Sequence, residues 1–66
     1  MNGWSNSETW RAFTEISNTE WKYLAAVEIV KKNKHLAGMI LGERFFYGKN
    51  VNWHEIAEAF ADNSKS

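Results

Sequence analysis

Three times in 66 residues a hydroxyl or amide side chain is followed, three positions on, by glutamate: Ser5 and Glu8 in "SNSE", Ser17 and Glu20 in "SNTE", Asn52 and Glu55 in "NWHE". At that spacing the first side chain can accept the amide of the glutamate, and the glutamate can reach back to the first amide. This reciprocal capping box satisfies donors that a helix start leaves orphaned. Glutamate in a first turn also suits the positive end of the helix dipole. The pattern predicts three helix starts, with Ser5, Ser17 and Asn52 as caps, each followed within the first turns by a tryptophan: Trp10, Trp21 and Trp53. The first two phrases lie about 12 residues apart, too close for the usual solenoid repeats, so the echo is one start signal used twice.

The apolar spacing behind these starts is helical. Trp10, Phe13 and Ile16 give a short first helix over roughly residues 6–16. "NTEWKYLAAVEIVKKNK" has neither Gly nor Pro. Tyr23, Leu24, Val27 and Val30 form its stripe, Trp21 and Ile29 widen it, and Ile16 and Trp21 occupy hydrophobic-staple positions. In "HLAGMILGERFFYG", Leu36, Met39, Ile40 and Tyr47 favour a third helix. Gly38 and Gly42 cost it about 1 kcal/mol each relative to alanine, yet leave a smooth strip that another helix can approach. The alternative is a break at Gly42 and a small hairpin across residues 44–53 around Gly48-Lys49. Trp53, Ile56, Ala57 and Phe60 face inward from the last helix, with Val51 and Ile56 at staple positions, and residues 62–66 form a fraying tail. The expected fold is all-α: one domain over 1–66, a compact bundle of three or four short helices.

A domain this small buries only about 60% of the surface its unfolded chain exposes. Natural chains of this size usually add disulfides, a metal or a partner subunit. This one has no cysteine, and His35 and His54 stand apart from other ligands, so no cofactor or metal is expected. The remaining support is aromatic mass (four Trp, four Phe, two Tyr) and self-association.

Formal charge sums to zero, but unevenly. Residues 1–30 carry Arg11 and Lys22 against Glu8, Glu15, Glu20 and Glu28. Residues 31–50 carry Lys31, Lys32, Lys34, Arg44 and Lys49 against Glu43, a net of +4. Residues 51–66 return to acid with Glu55, Glu58 and Asp62 against Lys65. The basic middle, with His35, is the candidate contact patch, and Trp4, which precedes the first cap, either completes the core or anchors a partner. No apolar run approaches the ~20 residues a membrane span needs. The start "MNGWSNSE" lacks a basic region and an apolar stretch, so no export is expected.

Catalysis requires a nucleophile beside a base, paired carboxylates or a metal cluster. Ser5 and Ser17 are assigned to capping, His35 adjoins lysines, His54 sits in a first turn, and "GMILGERFFYG" lacks the Lys-Ser/Thr ending of a phosphate loop. The reading is a non-enzyme. "VNWHEIAEAF" resembles the opening helix of Myb-like and other helix-turn-helix modules, but only the six residues "ADNSKS" follow it where a reader helix belongs, and Glu55, Glu58 and Asp62 repel phosphate. A nucleic-acid regulator using the basic middle stands as an alternative reading.

Both ends of the chain carry one further likeness. "NGWSNSETW" resembles the N-G-W-S-N-Y-E-T-W opening of small, largely uncharacterised proteins of tailed bacteriophages. "VNWHEIAEAF" is similar to their V-D-W-x-x-(I/L/V)-A-E stretch. Ser7 replaces the usual tyrosine, and "RAFTEI" is more polar than the usual N-V-A-L-W-type run. The resemblance implies an infected bacterial cytoplasm. It also implies an accessory protein that binds and modulates or inhibits a host protein complex, including defence systems. A homo-oligomeric accessory protein is a further alternative. Candidate partner-binding residues are Trp4, Lys31, Lys32, Lys34, His35, Arg44 and Lys49.

Overall fold

The computed structural model describes residues 3–65, with side chains through Asp62. It is a four-helix bundle: α1 Ser7–Asn18, α2 Glu20–Lys32, α3 Ala37–Arg44 and α4 Trp53–Lys65. No strand occurs among the described residues, and no helix is long and apolar enough to cross a membrane. The α4 helix continues through Lys65, into the stretch assigned above to a tail, and Ser66 lies outside the described residues.

Neither expectation for residues 44–53 holds as stated. The third helix stops at Arg44, short of Tyr47, and the next eight residues form an extended segment with a turn at 49–50. A left-handed φ of 121° at Gly48 makes that turn, a conformation costly for any residue with a Cβ. A short turn lets the chain double back from α3 into α4 without pairing strands.

Of the three expected caps, Asn52 acts as such: its Oδ1 accepts the amide of Glu55 at 3.1 Å. The first cap is Asn6, not Ser5. Its Oδ1 accepts the Thr9 amide at 2.7 Å, a stronger acceptor placed one residue nearer the helix. Ser17 caps nothing. It lies inside α1 with its Oγ buried and without a hydrogen-bond partner, and the corner into α2 falls at Thr19, whose extended backbone makes the break with no side-chain cap. The glutamates do not close their own boxes either. Glu55 Oε1 accepts the amide of Ser5 at 3.1 Å, and Glu8 Oε2 accepts from Asn50 Nδ2 at 3.3 Å. Each acid serves the start of the other helix, so local capping chemistry becomes a tertiary tie between α1 and α4.

The buried core is Ala12, Ile16, Ala26, Val30, Ala37, Leu41, Phe45, Val51, Ile56, Ala57 and Phe60. A row of rings, Trp4 on Phe13 (4.8 Å between centroids), Phe13 on Phe60 (5.0 Å) and Phe60 on Tyr23 (5.9 Å), extends it to the surface. Trp4 therefore packs against the core, half-buried. Helices α2 and α4 each lie against all their neighbours, whereas α1 and α3 do not adjoin. The glycine strip does bring a helix close. A Cβ on Gly38 would stand 3.2 Å from the Cα and N of His54, and one on Gly42 would stand 3.0 Å from the Trp53 indole.

Ile16, Val30, Ile56, Ala57 and Phe60 lie buried as expected, but close approach changes part of the α1, α2 and α3 faces. Alanine fits where helices nearly touch, so Ala12, Ala26, Ala37 and Ala57 face inward. Leu24 and Met39, assigned by spacing to the core stripes, are each 57% exposed, and Trp21, Leu36 and Trp10 also turn outward.

Candidate functional site

The helices carry two chemically distinct surface regions to opposite ends of α2. Ten residues separate Trp21 from Lys31, roughly 15 Å along the helix axis, in a molecule measuring 26 × 23 × 21 Å.

At the C-terminal end of α2, six consecutive exposed residues, Lys31 through Leu36, form the turn into α3. The Asn33 Oδ1 accepts the Leu36 amide at 3.3 Å, which shapes that turn. Lys32 pairs loosely with Glu28 at 3.8 Å, both exposed, so its charge remains available to solvent or a partner. Met39 follows Leu36 at i+3, so two exposed apolar side chains come just after the lysines in the chain. Lys34 and His35 overhang a shallow depression of about 330 Å³ whose opposite wall is α4, from His54, Ala57, Glu58 and Ala61. His54 Nε2 lies 3.3 Å from Glu58. Glu58 and Asp62 share with Lys34 an adjoining concavity, and these acids disfavour a phosphate backbone there. Among the described residues, no three His, Asp or Glu side chains are placed to hold a metal ion.

The other end is aromatic. The ring of Trp21 lies 6.2 Å from that of Phe45, Phe46 beside it is 88% exposed, and Tyr47 closes back toward Trp53 at 6.3 Å. Lys22 organises this end. Its Nζ donates to Tyr47 Oη at 2.7 Å, stands over the Trp21 and Tyr47 rings, and lies 3.8 Å from Glu15. The Tyr47 hydroxyl, foremost, holds the Lys22 ammonium above its ordinary range, with the charge of Glu15 adding to it. Glu8, Arg11, Ala12, Glu15 and Tyr47 enclose a concavity of about 230 Å³ between α1 and the extended segment.

The basic middle of the sequence is thus divided. Lys31, Lys32, Lys34 and His35 gather at the α2–α3 turn. Arg44 ends α3 next to Phe45 in sequence, and Lys49 lies in the turn beside Asn50, which reaches Glu8, so neither belongs to the α2–α3 turn. Trp4 joins neither group and rests on Phe13. The outward Leu36, Met39, Trp21 and Phe46 were missed as contact residues because helical spacing alone marked three of them for burial. The exception, Phe46, was legible: two adjacent phenylalanines in an irregular segment cannot both face one core.

No family model, curated protein or solved structure matches this chain.

Proposed function

We propose that this chain is a non-enzymatic phage accessory protein that docks its basic α2–α3 turn on an acidic surface of a host protein complex, modulating or inhibiting it, with a defence complex as the leading target class. One observation carries the reading: Lys31, Lys32, Lys34, His35 and Leu36 stand exposed across the α2–α3 junction, and the 57%-exposed Met39 follows in the first turn of α3. Apolar anchors give an interface its energy, and surrounding charges give it rate and partner choice. The sequence likeness to phage proteins supplies the setting.

The test is capture from a bacterial lysate with tagged protein, alongside the paired variant Lys31→Glu/Lys34→Glu and the variant Met39→Asp. One dominant acidic partner is expected with the natural chain, weakened by added salt and lost with both variants. No enriched partner, or a partner retained equally by both variants, overturns the reading.

A further inference from the structure

We infer that the aromatic end of the bundle is covered by a second copy of this chain, in a twofold dimer. This inference stands apart from the proposed function, since it concerns the opposite end of α2. The surface is continuous through direct contacts: Glu15 to Lys22, Lys22 to Trp21 and Tyr47, Trp21 to Phe45, with Glu8 and Arg11 sharing a concavity with Tyr47. On it Trp21 is 63% exposed, and Phe46, between Phe45 and Tyr47 in the chain, is 88% exposed, which is large apolar area left in water by a small domain. Four of the eleven buried apolar residues are alanines, so the internal core is thin and further burial between copies has value.

Charge selects the occupant. A twofold interface sets one patch against itself, so a rim of a single sign repels, whereas a rim holding both signs can pair across the axis. Contacts tie Glu8, Glu15, Arg11 and Lys22 to the aromatic end, and Arg44, Lys49, Glu20 and Glu43 each lie within two residues of one of its rings in sequence. The basic turn, with three lysines in four residues, repels its own copy and is excluded as the dimer contact. Zero formal charge overall removes long-range repulsion between copies. Because the basic turn lies at the far end of α2, the dimer leaves two such turns uncovered, and a target with repeated sites gains from the second contact.

Sedimentation equilibrium on the untagged chain, from low micromolar to roughly 0.5 mM, tests this. The mass should rise from 7.7 kDa toward twice that value. Phe46→Asp should remain at 7.7 kDa throughout with an unchanged circular dichroism spectrum, since an exposed side chain can be replaced without loss of fold. Two charge variants, Glu8→Lys/Glu15→Lys and Arg11→Glu/Lys49→Glu, should each remain monomeric and should associate with one another when mixed. A natural chain monomeric across the range, or a Phe46→Asp variant that sediments like it, overturns the inference. If the natural chain is monomeric and capture of a host protein depends on Phe46, that protein is the occupant and the second copy is wrong. A dimer that persists while no host partner is captured removes the proposed function alone.

Discussion

Thr9 Oγ1 accepts the backbone amide of Asn52 at 2.8 Å and donates to Asn6 Oδ1, also at 2.8 Å. One buried hydroxyl therefore joins the cap of α1 to the cap of α4, 43 residues away in sequence. Around it Asn6 Nδ2 reaches the Asn50 carbonyl at 2.9 Å and Asn52 Nδ2 reaches Ser5 Oγ at 3.4 Å, so the two helix starts are held as one polar unit.

Replacing Thr9 by valine keeps the shape and removes the hydroxyl, which strands the Asn52 amide. An expected loss of about 1–3 kcal/mol follows from leaving such a group unpaired. Asn6→Ala, which removes the α1 cap, should cost about 1 kcal/mol. The double variant should lose less than the sum, because both substitutions dismantle the same network. Urea unfolding of the four proteins measures it, and strict additivity would disprove the shared network.

Gly38→Ala sets helix propensity against packing. Alanine gains about 1 kcal/mol in a helix interior, but the new methyl would press on the His54 backbone at 3.2 Å, and backbone yields poorly. Overpacking of this kind costs about 1–3 kcal/mol, so net destabilisation is expected. Gly42→Ala should be milder, because its obstacle is the half-buried Trp53 indole, a side chain able to shift. Thermal denaturation of the two variants decides the order.

The changed faces make a size prediction that runs against helical-wheel intuition. Leu24→Lys should change stability by no more than about 0.5 kcal/mol, because Leu24 already faces water. Ala26→Leu, at a position with no exposure, should cost about 1–3 kcal/mol. Denaturant midpoints for both would expose an error in the helix orientation if the order reversed.

Lys22 gives a pH dependence of defined sign. Its ammonium is favoured in the folded state by the Tyr47 hydroxyl, so its folded pKa lies above 10.5. The stabilisation is complete at neutral pH and is lost as pH rises through that raised value. The stability gap between the natural chain and Lys22→Met should be flat from neutral pH upward and should narrow only above about pH 10.5. A gap that already narrows between neutral pH and about pH 9 would contradict the assignment.

Helix content, the α2 segment free of Gly and Pro, and the Asn52 start were all legible because each rests on contacts within about four residues. The same range explains why the boundaries came close while two of the three caps, Ser5 and Ser17, did not hold. Ser5 and Asn6 both precede α1 with an acceptor, and what separates them is Asn50 and Thr9, which hold Asn6 in place from elsewhere in the chain. Ser17 carried an equally good local signal, yet α1 ran one residue past it to Asn18 before turning. The candidate site was half legible: four of the five Lys, Arg or His positions from Lys31 to Arg44 gather around one turn because they are neighbours in sequence, and Arg44 left them because α3 carries it away.

Amino-acid order settled that this chain is helical, where its segments divide and which residues bear charge, since those follow from backbone propensity and near-neighbour hydrogen bonds. Packing settled which face of each helix is the interior, and it chose alanine over leucine. With Gly38 set against the His54 backbone, α3 and α4 stand too near one another at that crossing for a larger side chain to lie between them. The displaced rings and methyls went to the surface, and the two ends of α2 acquired their different chemistry from that displacement.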